Sequence, residues 1–572
     1  MLKRLCPYLR GRWGTTILAP LFKLIEACLE LCVPLVMGRI IDEGIANGDR
    51  GYVVRACILL AVIGAVGLTF SITAQYFAAK ASIGVATDMR ARLFSHVQSL
   101  SYTELDTLGT SGLLTRLGGD INQVQTGLNL ALRLLLRSPF VVFGAMLMAF
   151  TVDVPSSWTF AVVIALLCIV VFGIMLLTTP MYKKVQGGVD RLTRRVRENL
   201  VGVRVLRAFG MEDEEREAFG TENDALAASQ VRVGKISALL NPITYCIVNL
   251  GIVALLWQSA LRVEAGALLQ GDVVALYNYL SLILVELVKM ASLILTITKS
   301  LACGHRIAET LDTKTSMHDG DGATATDGAA KLAFTDVSFS YQNSPAHALS
   351  HISFSLAAGE TLGVVGGTGS GKSTLANLIS RFYDASEGTV TFCGADVRDY
   401  PQEVLRQSIG VAPQRAVLLS GTVRENLDMG RGLSDDALWQ ALETAVAAEF
   451  VREKGGLDAA VGEGGKNFSG GQRQRLSIAR ALATKPALLV LDDSASALDY
   501  VTAATLSKHL AALEPAPAVV LISQRTDPLA HADRILVLED GEAVGYGTHE
   551  DLLADCAVYR EIYASQDGGV TA

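Results

Sequence analysis

The sequence has 572 residues and a mass of 60.8 kDa. One hydrophobic core stops growing at about 250–300 residues, so we expect at least two domains. Half of the residues are hydrophobic, 19% are charged and the mean hydropathy is +0.37, which argues against a soluble protein and indicates a membrane component. The net charge of −8 at pH 7 provides no basic field for a nucleic-acid backbone, so we expect no nucleic-acid partner.

The N-terminal half of the sequence is dominated by apolar segments. The first residues, MLKRLCPYLRGRWG, are basic but have no small-residue cleavage site, and we interpret them as an interfacial amphipathic helix rather than a signal peptide. Six segments then approach the roughly 20 apolar residues that cross a hydrocarbon core. They lie near residues 15–38, 54–79, 127–151, 157–180, 238–262 and 272–298.

The connections between these segments predict the topology. Residues 80–126 and 181–237 are long and rich in Arg and Lys, whereas the remaining connections are short. The positive-inside rule therefore places both long connections and both termini in the cytoplasm of a multi-pass protein, which we expect in the plasma (inner) membrane. Helical spacing continues through the long connections, so we expect the spans to extend as stalks. Each connection is interrupted once, at SYTELDTLGTSG and at FGMEDEEREAFG, where we expect a short helix across the stalk tips.

The composition changes after residue 300. The stretch SMHDGDGATATDGAA has nothing to bury and is typical of a linker. Beyond it, β-rich runs such as LAFTDVSFSY alternate with helical ones such as STLANLISRFY, which predicts an α/β domain with a largely parallel sheet. We therefore expect a transmembrane domain at 1–305, a linker at 306–330 and an α/β P-loop nucleotide-binding domain at 331–572.

A phosphate-binding loop follows the apolar strand TLGVV. The segment GGTGSGKST fits G-x-x-x-x-G-K-[ST] and opens a helix, which is the context that a P-loop requires. Backbone N–H groups of such a loop close on phosphates at the helix N-terminus, the lysine reaches the β and γ oxygens, and the hydroxyl after it can bind Mg²⁺. The predicted ATP-binding residues here are Gly366, Thr368, Gly369, Ser370, Gly371, Lys372, Ser373 and Thr374.

A second apolar strand ends in two acids. In LLVLDDSASALDY, Asp492 closes the strand and is predicted to be the Walker B acid that supports Mg²⁺. About twenty residues earlier, NFSGGQRQR lies between the P-loop and this strand. Alone, a Ser-Gly-Gly turn before a helix could be an ordinary N-cap, but its position is informative.

With these motifs in place, the sequence resembles the nucleotide-binding domain of ABC transporters, and the whole chain resembles an exporter-type half-transporter. The resemblance implies that Tyr341 stacks on adenine and that Gln414 is the Q-loop residue that contacts Mg²⁺. It implies that SALD is the D-loop, that VGEGG is the X-loop and that the two stalk breaks are coupling helices. It also implies that a signature sequence binds the γ-phosphate held by the opposite subunit. The matching residues are Ser469, Gly470, Gly471 and Gln472.

The sequence departs from the family pattern at two catalytic positions. Asp493 stands where the family has a catalytic Glu, and Gln524, in VVLISQRTD, stands where it has a switch His. An Asp carboxylate falls short of the attacking water by roughly an ångström, a misplacement that can cost about a hundredfold in rate. Gln lacks the proton and positive charge of an imidazolium. An ATP site that binds well and hydrolyses slowly is expected, although Asp493 could still act as a base.

Because the signature is intact, the chain resembles the degenerate-site subunit of heterodimeric multidrug ABC exporters. We therefore expect a second, different half-transporter that has the Glu and the His. The expected activity is ATP-driven export of a small or amphipathic substrate. An importer with the exporter fold, for siderophore-like substrates, and a nucleotide-gated regulator or channel are the alternatives. The six apolar spans exclude a soluble P-loop ATPase.

Ionisable residues in the first apolar segment allow two interpretations. Lys23, Glu26 and Glu30 lie near one helix face, at i, i+3 and i+7. They could line a cavity for a cationic substrate, or pair with Arg133, Arg137 or Lys289. We favour structural pairing, because buried charges in a membrane are costly when unpaired. Glu286 and Lys289 are also three residues apart, and they too could line a cavity or form a structural pair.

Overall fold

The computed structural model describes residues 11–322, 330–342, 344, 346–494, 496 and 498–567. The chain divides into two units, one formed by Met1–Gln98 and Ser111–Asp312, the other by Ser99–Thr110 and Thr313–Ala572. The predicted amphipathic helix at the N-terminus falls mainly in residues 1–10, which lie outside the described part of the chain. Residues 323–329 of the predicted linker also lie outside it.

Residues 11–312 are helical almost throughout, with short π-helical segments at Ile40–Ile45, Arg116–Asp120 and Ala131–Leu135. The α-helices are α1 (Trp13–Arg39), α2 (Arg50–Ser99), α3 (Tyr102–Leu108), α4 (Thr110–Thr115), α5 (Ile121–Leu130), α6 (Arg137–Val152), α7 (Val154–Phe209), α8 (Glu212–Ala238), α9 (Leu240–Glu264) and α10 (Gln270–Asp312). Helix α10 therefore extends beyond residue 305, where the transmembrane domain was expected to end.

Among the described residues, five helical stretches are long and apolar enough to cross a membrane, by length and composition only. They are Arg50–Ser99, Thr110–Val152, Val154–Phe209, Glu212–Glu264 and Gln270–Asp312. The sixth predicted span corresponds to α1, which is a helix of 27 residues. Lys23, Glu26 and Glu30 lie in its middle and lower its hydropathy, so α1 differs from the other five because of these charges.

The two expected breaks in the stalks differ from each other. At the first break α3 is a separate short helix, and a capping box between Ser101 and Glu104 begins it. At the second break the chain interrupts its helix only at Gly210 and Met211, where Gly210 adopts a left-handed conformation and ends α7. The acidic segment after it continues directly into α8. The expectation of a separate short helix there is wrong, because four acids in a first turn favour an uninterrupted helix start.

The C-terminal unit contains three sheets. Their strands are β1 (Leu332–Phe339), β2 (Leu349–Leu356), β3 (Thr361–Gly366), β4 (Glu387–Phe392), β5 (Ala395–Asp396), β6 (Ile409–Ala412), β7 (Gly421–Thr422), β8 (Ala460–Val461), β9 (Leu488–Asp492), β10 (Ala518–Ile522), β11 (Arg534–Glu539) and β12 (Glu542–Gly547). The main sheet has the order β12-β11-β3-β10-β9-β6. All of its pairings are parallel except β11 with β12. The predicted largely parallel sheet is therefore confirmed.

Two smaller sheets accompany it. Strands β2-β1-β4-β5 form an antiparallel sheet, and β7 pairs with β8. The α-helices of this part of the chain are α11 (Lys372–Ile379), α12 (Gln402–Ser408), α13 (Val423–Asp428), α14 (Asp435–Thr444), α15 (Ala448–Glu453), α16 (Gly470–Leu482), α17 (Tyr500–Ala511), α18 (His549–Asp555) and α19 (Ala557–Asp567). A membrane α-helical region together with an α/β P-loop domain confirms the predicted fold class.

Separate hydrophobic clusters hold the parts of this domain together. One joins the antiparallel sheet to the main sheet and α11. A second packs α13 to α17 against the opposite face of strands such as β9. In β9 all five residues are buried, which is typical of a central parallel strand covered on both faces. The side chain that ends such a strand is therefore held rigidly.

The ionisable residues of the membrane helices pair with one another. Arg137 in α6 donates to Glu30 in α1 at 2.5 Å and to Glu286 in α10 at 2.7 Å. Glu286, only 2% exposed, also accepts from Ser138 at 2.8 Å and from Lys289 at 2.9 Å. The favoured structural pairing is confirmed for these residues. It joins three helices through one buried guanidinium.

Lys23 and Glu26 form a second pair within α1. The Lys23 ammonium also donates to the Ser71 hydroxyl in α2 at 2.9 Å. Arg133 has a buried Nε with no hydrogen-bond partner among the described residues. Of the candidate partners for the α1 acids, Arg137 rather than Arg133 is therefore the one that binds Glu30.

Glu286→Ala should destabilise the membrane unit strongly. Removing one partner of a buried ion pair typically costs about 3–5 kcal/mol, because the remaining charge stays buried. We expect a clear fall in the thermal unfolding midpoint of the detergent-purified protein. Lys289→Ala is the matched control, since the Lys289 side chain is 47% exposed and contacts the same carboxylate. An equal fall for both variants would contradict the central role of the Arg137–Glu286 pair.

Candidate functional site

The P-loop is built by a buried strand that ends in a glycine. A Cβ on Gly366 would lie 2.2 Å from the Leu538 carbonyl oxygen of β11, so β3 can end beside β11 only with glycine there. Gly371 caps α11 with φ of +98°, a conformation that other residues rarely adopt. Between them, Thr368 and Gly369 are exposed and Ser370 is buried. The loop therefore presents backbone N–H groups at the start of α11.

Lys372 lies at the first position of α11 and curls back over the loop. Its Nζ donates to the carbonyl oxygens of Gly366 at 2.7 Å and Gly367 at 2.6 Å. Burial lowers the pKa of the Lys372 ammonium, and the nearby Asp493 and Asp492 oppose this effect. A cation held beside a glycine-rich loop at a helix N-terminus is suited to binding an anion such as a phosphate.

Asp492 ends β9 next to the start of α11. Ser373, the second residue of that helix, lies close to the Asp492 carboxylate. Burial raises the pKa of Asp492, and the Ser373 hydroxyl and Lys372 act in the opposite direction. The predicted P-loop and Walker B residues therefore meet, although over 100 residues separate them in the sequence.

Asp493 follows in an unusual backbone conformation. Its φ is +46°, and its N–H donates to the Ile522 carbonyl oxygen of β10 at 2.9 Å. Gln414 Nε2 donates to Asp493 Oδ2 at 3.3 Å, which brings the predicted Q-loop residue to the end of the strand that contains the predicted Walker B acid. The other carboxylate oxygen, Oδ1, is buried and has no hydrogen-bond partner in the described part of the chain. A buried unpartnered oxygen is costly, and such groups mark sites that receive a ligand or water.

Gln524 lies two residues beyond the end of β10, in an exposed position. Because Ile522 pairs with Asp492 across the sheet, the chain segment with Gln524 begins at the same sheet edge as the two acids. The two departures from the family pattern therefore occur at neighbouring strand ends.

Tyr341 approaches the P-loop helix from the antiparallel sheet. Its hydroxyl lies 3.2 Å from the Thr374 hydroxyl. Its ring meets Phe339 and Tyr383 edge to face, with centroids 4.9 and 5.3 Å apart. The half-buried ring is thus held next to α11, where a base attached to a bound phosphate could contact it.

One neighbour of Tyr341 was not found by sequence reasoning. The Tyr383 hydroxyl donates to the Asp106 carboxylate of α3 at 2.6 Å. Burial and the negative charge of Asp106 both raise the pKa of this hydroxyl. Tyr383 follows α11 in a stretch without any recognisable motif, so only the position of α3 within this unit reveals the contact.

The predicted signature residues begin α16. Ser469 is its N-cap and accepts a hydrogen bond from the Gln472 N–H at 3.3 Å, while Gln472 Oε1 accepts from the Ser469 N–H at 3.0 Å. This capping box leaves Ser469 and Gly470 exposed, with Gly471 half-buried. Ser469 is thus an ordinary helix N-cap in the local structure. It leaves the exposed helix N-terminus available to an anion.

The predicted site residues consequently form two groups. The P-loop, Asp492, Asp493, Gln414 and Tyr341 are linked by the contacts above. Ser469 to Gln472 belong to α16, which packs into the other hydrophobic cluster, and no hydrogen bond between the two groups appears in the described part of the chain. Membrane-spanning helices followed by a P-loop domain with a separate signature helix define an ATP-driven membrane transporter.

Comparison with known proteins identifies the family. The model for the ABC transporter transmembrane region matches residues 16–287, and the ABC transporter model matches residues 349–496. An uncharacterized ABC transporter ATP-binding protein of Mycobacterium tuberculosis is 35% identical over 96% of this chain and 96% of its own length. The ATP-dependent lipid A-core flippase of Vibrio cholerae is 28% identical over 99% of this chain and 98% of its own.

A solved structure has the same architecture. A bacterial Atm1-family ABC exporter with ATP bound superposes with a TM-score of 0.80 at 24% identity, covering 98% of each chain. The chain belongs to the ABC transporters, with the transmembrane region fused to the ATP-binding domain in an exporter-type fold.

Lys372→Ala should abolish tight nucleotide binding. The variant removes the cation buried beside the loop, and a charge-assisted hydrogen bond to phosphate is worth about 1.5–3 kcal/mol, or roughly ten- to a hundredfold in affinity. Titration with a fluorescent ATP analogue would measure the loss. Lys508→Ala, which changes an exposed lysine of α17, is the control. If Lys372→Ala binds the ATP analogue with unchanged affinity, the assignment of the nucleotide site to this loop is contradicted.

Proposed function

We propose that this chain is one half of a heterodimeric ABC exporter that moves a small or amphipathic substrate outward across the plasma (inner) membrane, with both termini in the cytoplasm. Its own Walker B site is degenerate, and its signature serves the partner. The observation that carries the proposal is the combination of Asp493 and Gln524 at the two hydrolytic positions with a complete Ser469–Gln472 signature.

The proposed nucleotide half-site consists of residues of the P-loop, the start of α11 and the segment after β1. The N–H groups of Gly369 and Gly371 lie in the loop that would surround the phosphates, and Lys372 would bind the β and γ oxygens. Tyr341, held by Phe339 and Tyr383, would stack on adenine. ATP supplies the free energy of its hydrolysis to the transport cycle.

The oxygen donors near Asp492 fit Mg²⁺. Ser373 and Asp492 lie close together, and Gln414 contacts the next residue, Asp493. Magnesium usually takes one or two protein oxygen ligands together with substrate phosphates and waters. Consistent with this, the described residues contain no cluster of three or more His, Cys, Asp or Glu side chains that could hold a metal alone. Ser373, Asp492 and Gln414 would therefore bind Mg²⁺ together with the nucleotide.

Slow hydrolysis follows from the position of the Asp493 carboxylate. The residue is anchored at its N–H by β10 and at its Oδ2 by Gln414, so its side chain has little freedom to move toward a water. Asp has one methylene fewer than Glu, so its carboxylate lies roughly an ångström too far from the water. When the side chain cannot move to close this gap, the hydrolysis rate falls about a hundredfold. Gln524 can donate a hydrogen bond to a phosphate but supplies no positive charge.

A second chain is needed to use the signature. Ser469 and Gly470 are exposed at the start of α16 and make no hydrogen bond to the P-loop in the described structure. The helix N-terminus at Ser469 is therefore an exposed anion site on a chain whose own hydrolysis is weak. Its presence is explained if this site completes the hydrolytically competent ATP site of a partner. We infer that the partner has the Glu and the His that this chain lacks.

The charged residues of α1 do not define the substrate. Their partners are Arg137, Ser71 and one another, so pairing within the protein accounts for them. The V. cholerae relative is a lipid flippase by name, and its similarity over the whole chain supports an amphipathic substrate here. Vesicle assays with a labelled amphiphile would distinguish outward transport from uptake, and single-channel recording would detect a channel.

Asp493→Glu should raise the ATPase rate, because the longer side chain returns the carboxylate to the position that activates water. We expect an increase of several-fold rather than full restoration, since Gln524 remains. Phosphate release from the purified protein in nanodiscs would measure it. Asp493→Asn is the matched control, as it keeps the size but removes the base, and it should lower the residual rate or leave it unchanged. If Asp493→Glu does not increase the ATPase rate, the proposal that this chain has a degenerate site is contradicted.

Two differently tagged copies of this chain test the pairing independently. If the chain forms a heterodimer, co-expressed tagged copies should not purify together as an active transporter. Addition of a half-transporter with an intact Glu and His, such as one encoded next to this gene, should yield a complex with high ATPase activity. An active complex that contains both tagged copies and no other subunit would contradict the heterodimer.

A further inference from the structure

The side chain of Gln566 in the last turn of α19 bonds to the loop that contains Gln524. Gln566 Oε1 accepts from the Thr526 N–H at 2.8 Å and from the Thr526 hydroxyl at 3.1 Å. Gln566 Nε2 donates to the Gln524 carbonyl oxygen at 2.8 Å. One amide group thus forms hydrogen bonds with Gln524 and Thr526, on both sides of Arg525. These two residues precede Gln566 by 40 residues or more in the sequence.

Helix α19 is itself well anchored. Cys556 and Tyr559 are buried in a cluster with Val365 of β3 and Leu529, which follows the loop, and Ile562 packs against that cluster. The Tyr559 hydroxyl lies 2.7 Å from His549 Nδ1. The helix is consequently fixed to the strand that leads into the P-loop, and Gln566 extends from this fixed support.

The loop has few other constraints on the Gln524 peptide group. The Arg525 N–H donates to the buried Ser523 hydroxyl at 2.9 Å, and Thr526 begins a short turn by accepting from the Leu529 N–H at 2.9 Å. The Gln524 carbonyl has Gln566 as its partner. Rotation of this peptide requires loss of the bonds from Gln566 to the Gln524 carbonyl and from the Arg525 N–H to Ser523, and displacement of the Gln524 backbone toward solvent requires loss of the bond to Gln566.

We propose that Gln566 is a positioning residue that holds the loop 523–526 so that Gln524 stays at the sheet edge beside Asp493. The C-terminal helix is then part of the machinery that responds to the γ-phosphate. This inference rests on the proposed role of Gln524. The geometry that carries it is the set of three hydrogen bonds from one side chain.

Hydrogen–deuterium exchange tests the contact without reference to hydrolysis. In Gln566→Leu, a peptide that includes Thr526 should exchange roughly three- to tenfold faster, as expected for the loss of one or two hydrogen bonds. In Gln566→Glu, the Oε1 acceptor for Thr526 is retained, so this peptide should stay protected. Ser565→Ala is the matched control, because that hydroxyl donates to the Ile562 carbonyl oxygen at 2.8 Å and has no bond to the loop 523–526 among the described residues. Equal exchange in Gln566→Leu and Ser565→Ala would overturn the proposal.

ATPase kinetics in the Asp493→Glu background test the consequence. Both Gln566→Leu and Gln566→Glu should lower kcat at least threefold with KM for ATP unchanged, since both lose the donor to the Gln524 carbonyl. A full kcat in Gln566→Glu, or a KM that rises in parallel with the fall in kcat, would overturn the positioning role. If Asp493→Glu itself shows no gain, the degenerate site fails, whereas the exchange measurement still decides whether Gln566 holds the loop.

Discussion

The parallel pairing of β3, β10 and β9 is the constraint on which the candidate site depends. Val364 pairs with Ile522, and Ile522 pairs with Asp492, so the three strands end at one edge of the sheet. The P-loop follows the first strand, Gln524 follows the second, and the two acids end the third. Since the strands are buried on both faces, their ends cannot shift relative to one another. Residues from three distant places in the chain are thereby brought to the same edge of the sheet.

A different constraint organises the membrane helices. Charges in a low-dielectric region are tolerated only when each has a partner, and Arg137 meets this requirement for acids on two other helices. The pairing links α1, α6 and α10 and explains why α1 is less apolar than the other spans. It also means that these acids are poor indicators of the transported substrate, because their charges are already compensated within the protein.

Much of the candidate site was predictable because it consists of short motifs whose chemistry is local. The residue types directly indicate three features of the site. These are the glycine with φ of +98° before Lys372, the hydroxyl of Ser373 and the acid at the end of a buried strand. The capping box of Ser469 and Gln472 is similarly local. The second stalk break was mispredicted for a related reason: Gly210 does end a helix, but the acids after it favour the immediate start of another. Glycine and acids alone do not reveal how long the next helix is.

The sequence by itself determined the order of membrane helices and ATP-binding domain, the parallel sheet and the phosphate loop, and it identified Asp493 and Gln524 as the residues on which the proposed slow hydrolysis rests. These depend on hydropathy, periodicity and residue type, which act over a few residues. Only the tertiary structure decided that Arg137 rather than Arg133 binds Glu30, that Gln414 contacts Asp493, and that Tyr383 and Gln566 support Tyr341 and Gln524. Those contacts join side chains from distant segments, and their partners are selected by strand register and helix packing rather than by any local pattern.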